Sequence, residues 1–505
     1  MIGICRYGNA VIAVALAFYF FLIPGTLVVR DIVDPNLRGP GIPKRAWELH
    51  RTLTPRYEKW ARARVASGRA ASLSLYDVPS TEWPMFGSVY YLWATESLQR
   101  AWEQDHSLSP VEPRVYARKT VEAAVDLVLD PVHHTWVRTH WGPGYMHREN
   151  VFFRTLIIAA LTAHERLVGG GQHRALLQDQ VDTLAAELDA SPLGVLEDYP
   201  GECYPIDVLA AIACIRRADA VLGTDHSAFA ARSIRAFSGK MLDQRGLIPY
   251  FVEATSGAQG EPSRGVGNSY VLIFAHELWP DVAAKWYSRY DKYFWQARWW
   301  AAGFREYPRE LAQQDWSYDV DAGPIIAGFS PAANAFGLAA AKVNGRLDHA
   351  YVLASQVLTA AWPLPDGTLL GSRMLSNAAH APYLGEACLL FILSQRPAPG
   401  MPIRLGGHAP GLVYIGLLFF FGTGAAIVIA AWRGVRRWRA GQLGQRVRAQ
   451  RLQVVLWGVL VAGGLGFVAA GQVGVGMISL LAAQFLPRVG RPDGAGIGGA
   501  ELRAD

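Results

Sequence analysis

The sequence predicts an all-α fold, an (α/α)6 toroid with transmembrane helices at both ends of the chain. Three observations lead there. Twelve helix-sized stretches lie between residues 44 and 395, and the connections between them alternate short and long. The long connections collect unusual acids, aromatics and glycines: Tyr76-Asp77, Trp141-Gly-Pro-Gly-Tyr145, Glu197-Asp-Tyr-Pro-Gly-Glu-Cys-Tyr204 and Asp319-Val-Asp-Ala-Gly323. Outer and inner helices taking turns around a ring would place every long loop on one face, where a cleft can form. Apolar runs at residues 9–29, 411–432 and 452–486 supply the membrane part.

The first run lies between Arg6 and Arg30 and is long enough to cross a bilayer. A basic start and an apolar stretch also fit a signal peptide, but no small-x-small cleavage site follows, so an uncleaved anchor is expected over residues 1–31. From residue 44 onward, period 3.6 predicts the helices. Residues 151–167 are apolar around most of the circumference, as an inner helix should be. Residues 207–222, 269–278, 331–343 and 383–393 continue the inner set. Stretches 116–129, 174–188, 227–241, 282–299 and 348–361 carry a narrower apolar stripe and read as outer helices. Gly169-Gly-Gly171 and Gly223-Thr-Asp225 supply tight turns from inner to outer helix. Strand signals are sparse, with residues 246–252 the best candidate for a hairpin arm.

After the domain, expected over residues 32–405, a second span begins at residue 411. The 35 apolar residues of 452–486 exceed the roughly 20 of a single crossing. Interrupted at Gly471-Gln472, they read as a hairpin of two short spans, with one long tilted helix as the alternative. Between the second and third spans lie Arg433, Arg436, Arg437, Arg439, Arg446, Arg448 and Arg451 without an acid. Short loops so biased stay in the cytoplasm. The domain is then expected outside it, held at a plasma (inner) membrane by a multi-pass anchor.

Of the formal charge of +6, residues 1–31 hold +1 and residues 406–505 hold +7, leaving −2 on the domain. A nearly neutral domain gives no electrostatic case for nucleic acid. Cys5, Cys203, Cys214 and Cys388 are too few and too scattered for a disulfide framework or a zinc site. His133, His134, His140 and His147 share one loop, but their spacing matches no standard metal pattern, so no metal is expected. No cofactor is expected either.

Glu197, Asp198, Glu202, Cys203, Tyr204 and Asp207 form the densest polar cluster. Asp207 reads either as a helix cap, with Pro200-Gly201 as a turn, or as a cleft carboxylate that protonates an oxygen leaving group. Cys203 would act only if something lowered its pKa, and no neighbouring cation is evident. In the second cluster, Asp319 and Asp321, two apart in an extended chain, would face the same way, and Gly323-Pro324 would turn the chain into the next inner helix. Cap and turn, or paired acid and base, both fit. Glu149-Asn150, Tyr76-Asp77, Trp83 and Tyr270 lie where inner helices begin. With 17 Trp and 20 Tyr in the chain, only aromatics on the long loops are cleft candidates.

At Glu149-Asn150, through the loop from Leu196 to Asp207, at the Gly246-Leu-Ile-Pro-Tyr250 turn with its following Ser256-Gly257, and at Asp319-Val-Asp-Ala-Gly323, the chain resembles the linalool dehydratase/isomerase family. The likeness runs over residues 70–396. It implies an (α/α)6 barrel acting on a monoterpene alcohol without cofactor. By position, the family's catalytic aspartate falls at Asp77 and its partner tyrosine at Trp83. One family cysteine falls at Leu196 and the second near Pro205, where Cys203 is the nearest thiol. The family histidine falls at Leu156, and a pocket tyrosine at Tyr270. The scaffold is kept while most of the catalytic set is replaced, so linalool dehydration itself is not expected.

Three functional expectations follow. One is acid/base lyase or isomerase action on an isoprenoid or polyprenyl-linked substrate, using Asp77, Glu202, Cys203, Asp207, Asp319 and Asp321, with Trp83, Glu149, Asn150, Asp198, Tyr204 and Tyr270 binding it. The alternatives are hydrolysis or epimerisation of an envelope glycan, and a non-catalytic binding or assembly subunit. The lipid bilayer is the expected partner.

Overall fold

A computed structural model describes residues 2–72, 78–235, 237, 241–439, 450–469 and 473–486. The described chain is mostly helical, with a few short strands. It divides into two compact units: Val28–Gly416, and the described parts of Met1–Leu27 and Leu417–Asp505.

In the larger unit, twelve helices alternate between two environments. The even-numbered ones are α2 (Trp83–Gln104), α4 (Val151–Leu167), α6 (Pro205–Leu222), α8 (Gly265–Leu278), α10 (Pro331–Val343) and α12 (Leu384–Leu393). Each is buried around most of its circumference. Each packs against the next, and α12 packs back against α2. The odd-numbered ones, α1 (Lys44–Ala66), α3 (Arg118–Leu129), α5 (Arg174–Ala190), α7 (Ser227–Ser233), α9 (Pro280–Phe294) and α11 (Leu347–Ala360), bury one stripe. In α9 that stripe is Ala283, Trp286, Tyr287, Tyr290 and Phe294, spaced for one face of a helix.

The even helices run in the same direction. Their first turns meet at one end: Gly267 approaches Ile206, Gly87 approaches Leu384, and the Phe86 ring meets Phe152 and Tyr270. Their last turns meet at the other, where Arg166 pairs with Glu96, Arg217 with Glu277, and the Lys342 ammonium donates to the Leu393 carbonyl. Rings fill the middle: Tyr90, Trp93, Tyr270, Phe274, Phe336 and Phe391 touch in edge-on, tilted and stacked contacts.

Several expected boundaries hold to within a few residues, and three differ. The expected outer helix over 227–241 is the shorter α7, and residues 236 and 238–240 lie outside the described chain. The expected helix over 282–299 stops at Phe294, because Trp295–Ala297 (β3) pairs with Ala302–Phe304 (β4). Strands are also less sparse than expected. Phe251–Val252 (β1) pairs with Gln259–Glu261 (β2) in the anticipated hairpin, and Trp316–Asp319 (β5) pairs with Gly323–Ile326 (β6). Gly323-Pro324 therefore starts a strand rather than turning into a helix, and α10 begins seven residues after Pro324, at Pro331.

The stretch Tyr7–Ile32 and the helix Gly411–Arg437, each only partly in the smaller unit, are long and apolar enough to cross a membrane. After them, the helices Gln450–Ala469 and Val473–Ala483 pack on one another. A Cβ on Gly464 would lie 3.0 Å from the Gly476 carbonyl oxygen, so the two backbones approach closely. Residues 450–469 and 473–483 are thus two packed helices, and the interruption at Gly471-Gln472 lies outside the described residues.

Candidate functional site

The loop between α5 and α6 is shaped by its own sequence. Gly201 sits at φ 86, a left-handed value that favours glycine, and its amide donates to a Glu197 carboxylate oxygen at 2.7 Å. The Glu202 amide donates back to the Tyr199 carbonyl at 2.8 Å, closing the turn. Pro205 then opens α6, with its missing N–H at a position that needs none. Asp207 lies two residues further in, inside the first turn, and Tyr204 occupies the capping position. Asp207 is therefore not a cap.

Asp198 takes the structural role instead. Its buried carboxylate accepts from the Phe152 amide at 2.8 Å and the Tyr204 amide at 3.1 Å, stapling the starts of α4 and α6 together. Glu149 completes this staple by accepting from the Glu197 amide at 2.7 Å. Asn150 occupies a left-handed conformation (φ 52) and is fully buried, with neither side-chain polar atom bonded.

Asp207 is left half-buried, and its carboxylate accepts no hydrogen bond from any described residue. Burial first, and the charge of Asp321 second, push its carboxyl up to about 7. Glu82, at the mouth of α2, receives the Tyr199 hydroxyl. Burial pushes Glu82 up to about 8; the Tyr199 hydrogen bond opposes this, while Asp321 and Asp207 add to it. Asp321 accepts from the Tyr250 hydroxyl at 2.6 Å. Its pKa is also raised, mainly by the protein around its carboxylate, but the residue is exposed at the hairpin tip, so solvent screens it more than the other two. Glu82, Asp207 and Asp321, from three separate chain segments, thus share one electrostatic environment with the buried Asp198; the Tyr199 and Tyr250 hydroxyls bond Glu82 and Asp321, Arg264 partly offsets the rise at Asp321, and Asp207 accepts from no described residue.

Asp319 does not join them. Its carboxylate accepts from the Asp321 and Ala322 amides at 2.9 and 3.0 Å and pairs with Arg264 at 2.8 Å. Burial alone would raise it, but the Arg264 hydrogen bond and charge outweigh that and hold it below the ordinary value. The expected Asp319–Asp321 pair facing one way is corrected: one shapes the turn and the other reaches Tyr250.

Among the remaining candidates, Glu202 is exposed and accepts from the Tyr204 hydroxyl at 2.9 Å. The Tyr204 ring stands edge-on to Tyr250. Cys203 does not lie open in a polar loop. It is 1% exposed, and burial, followed by Asp198 and Glu197, pushes its thiol well up. Tyr270 is buried against Phe86, Phe274 and Phe336, and its hydroxyl is raised by burial and by Asp207. Trp83 is half-buried at the first residue of α2. Asp77 lies outside the described residues. Of the four loop histidines, His133 bonds Asp130, His134 bonds the Val128 carbonyl, His147 bonds Asp179, and His140 stands edge-on to Tyr199. Among the described residues no group of histidine, cysteine and acid side chains has metal-holding geometry.

Sequence reasoning missed Glu82, Tyr199 and Tyr250. Glu82 had a usable signal, because Trp83-Pro84 marks a helix start and makes the preceding acid a mouth residue. No protein-family model matches this chain, and no curated protein matches it.

Proposed function

We propose that this chain is a membrane-anchored, cofactor-free acid/base enzyme built on an (α/α)6 toroid, acting at a C–O bond of a hydroxyl-bearing envelope substrate. The cyclic packing of the six even helices supports the toroid, and it places their long loops at one end. One observation carries the chemistry: Asp207, raised to about 7, accepts no hydrogen bond and pairs with no cation among the described residues, and Asp321 and Glu82 share its electrostatic surroundings. A carboxyl poised near the working pH is a good proton donor. In this reading Asp207 gives its proton to the departing oxygen as the C–O bond breaks. Asp321, the better solvated acid, accepts a proton in exchange. In hydrolysis it takes that proton from a water whose oxygen bonds the carbon; in elimination it takes it from the neighbouring carbon. Glu82 and Tyr199 hold the third corner of the site.

A glycan suits this site best, because its hydroxyls would pair with carboxyls and tyrosine hydroxyls that a hydrocarbon would leave unpaired. A lyase or isomerase acting on an isoprenoid or polyprenyl-linked substrate is the second reading. It is favoured by the ring cluster of Phe86, Phe152, Tyr270 and Phe336 below the acids, and by the resemblance to linalool dehydratase/isomerase. In this reading the arginine stretch from 433 to 451 favours a cytoplasmic loop there, with the domain outside, at the plasma (inner) membrane.

The test is turnover by the detergent-solubilised full chain on envelope glycans and on polyprenyl-linked substrates, with Asp207→Asn as the control. Turnover lost in that variant while its circular dichroism is unchanged supports the proposal. Full turnover in the Asp207→Asn, Glu202→Gln double variant removes this loop from the chemistry. A reporter after Arg451 active outside, or one near Gly170 active inside, would overturn the orientation.

A further inference from the structure

The hairpin β3–β4 turns through Arg298, Trp299 and Trp300, and Trp299 is 80% exposed. An indole left in water is costly, and tryptophan collects where water meets hydrocarbon. What lies beside this turn indicates which apolar medium it fits. The Gly411 amide donates to the Trp299 carbonyl at 3.2 Å, and the Leu412 amide donates to the Trp300 carbonyl at 2.7 Å. Those are the first two residues of the apolar helix Gly411–Arg437. A Cβ on Gly411 would lie 2.9 Å from the Trp299 carbonyl oxygen, so glycine lets the turn close against the start of that helix. The exposed indole is thereby fixed at the level where the chain enters its apolar span.

The apolar surface continues from there. The Trp300 ring stands edge-on to Phe329 at 5.6 Å. Phe329 bridges to Ile326, and Ile326 pairs across the hairpin with Trp316. Trp316 and Tyr318, two apart on β5, point to the same face and are 75% and 74% exposed. This band runs toward the hairpin tip that carries Asp321. The span's first turns also lie at the same end of the ring as the acids, since Gly416 packs on Thr359 in the last turn of α11.

We propose that the Trp299–Trp300 turn and the outer face of the β5–β6 hairpin form one continuous surface that rests in the headgroup region of a lipid bilayer, beside the mouth of the acidic site. The exposed Arg298 on the same turn suits anionic headgroups. A lipid-borne substrate would then reach Asp321 along this surface without crossing water. The inference rests on Gly411–Arg437 being a span, and not on the acid/base reading.

The full chain, reconstituted in vesicles of phosphatidylethanolamine and phosphatidylglycerol, is labelled with a nitroxide at single introduced cysteines: Trp299→Cys, Tyr318→Cys, Leu418→Cys and Gln172→Cys. The parental chain, whose own cysteines are buried or half-buried, is the blank. Collision with oxygen is compared with collision with a water-soluble nickel chelate. Labels at 299 and 318 should show an oxygen-to-nickel ratio several-fold above that at 172, in the turn after α4, and below that at 418, within the span. A water-like ratio at either 299 or 318, with 418 in hydrocarbon, overturns the docking surface. A water-like ratio at 418 overturns the span on which it rests.

Discussion

The two ends of the helix ring handle charge in opposite ways. Where the last turns meet, Arg217 donates to Glu277 through Nε at 2.8 Å, and Arg166 joins Glu96 to the Arg217 carbonyl. Burial alone would raise the Glu277 carboxyl, but Arg217 outweighs it and holds it below its ordinary value. Arginines and Lys342 also suit the negative ends of six helix dipoles. Where the first turns meet, helix dipoles favour carboxylates, yet Glu82 and Asp207 pair with no arginine among the described residues, Arg264 only partly offsets the rise at Asp321, and all three are raised. Arginine–carboxylate pairs tie helices together at one end, while raised carboxyls without a paired cation keep exchangeable protons at the other. On the proposed acid/base reading, that difference makes the first-turn end the reacting one.

The largest expected effect tests that contrast directly. Asp207→Asn should lower turnover about 10²–10⁴-fold, the range for losing a general acid, while Glu277→Gln should leave turnover within about twofold. Equal losses in the two variants would mean that the ends do not differ.

The second effect is on stability. In the folded chain Glu82 keeps its proton up to about 8, against an ordinary 4.5. Between those values the folded state holds more protons than the unfolded one, so this group makes stability fall as pH rises through that window. The ceiling is about 5 kcal/mol at 1.36 kcal/mol per pH unit. Glu82→Gln keeps an oxygen for Tyr199 and does not titrate. Its thermal midpoint should therefore gain on the parental chain progressively from about pH 5 to about pH 8. A constant difference across that range would show that Glu82 is not held protonated.

At the paired end the expected change is smaller. Arg217→Met strands Glu277 beside Arg100. Because the Glu277 side chain is 40% exposed, the loss should be about 1–3 kcal/mol rather than that of a fully buried pair. A fall in the thermal midpoint without loss of specific turnover would fit; an unchanged midpoint would make the pair ornamental.

The sequence made the alternation of helices legible, because apolar patterning is local: α4 is apolar around most of its circumference, while α3 carries one stripe at period 3.6. The short hairpins were not legible: β3 and β5 depend on partners four or more residues away and carry no turn dipeptide of the usual hairpin kind. The site was half legible. Asp207 and Asp321 stood out by loop position, but whether an acid is paired depends on residues far along the chain. Arg264 claims Asp319, two backbone amides claim Asp198, and no described residue claims Asp207. That assignment separates a staple from a proton donor, and it exists only once the loops are brought together.

The smallest expected effect concerns Cys203, where the resemblance and the structure point in different directions. By resemblance it is the thiol nearest a catalytic cysteine. In the structure it is 1% exposed, its thiol is raised by burial and then by neighbouring acids, and its backbone carbonyl accepts the Val252 amide at 3.1 Å. A thiol held protonated is a poor nucleophile, and its contribution is packing plus a backbone bond that any residue can make. Cys203→Ser should therefore cost about 1–2 kcal/mol from burying a hydroxyl, change turnover less than about threefold, and leave the hairpin bridge intact. Alkylation of the native chain by iodoacetamide near neutral pH should be slow at this position. Loss of turnover as deep as in Asp207→Asn, with the fold unchanged, would put the thiol in the chemistry and favour the isoprenoid reading over the glycan one.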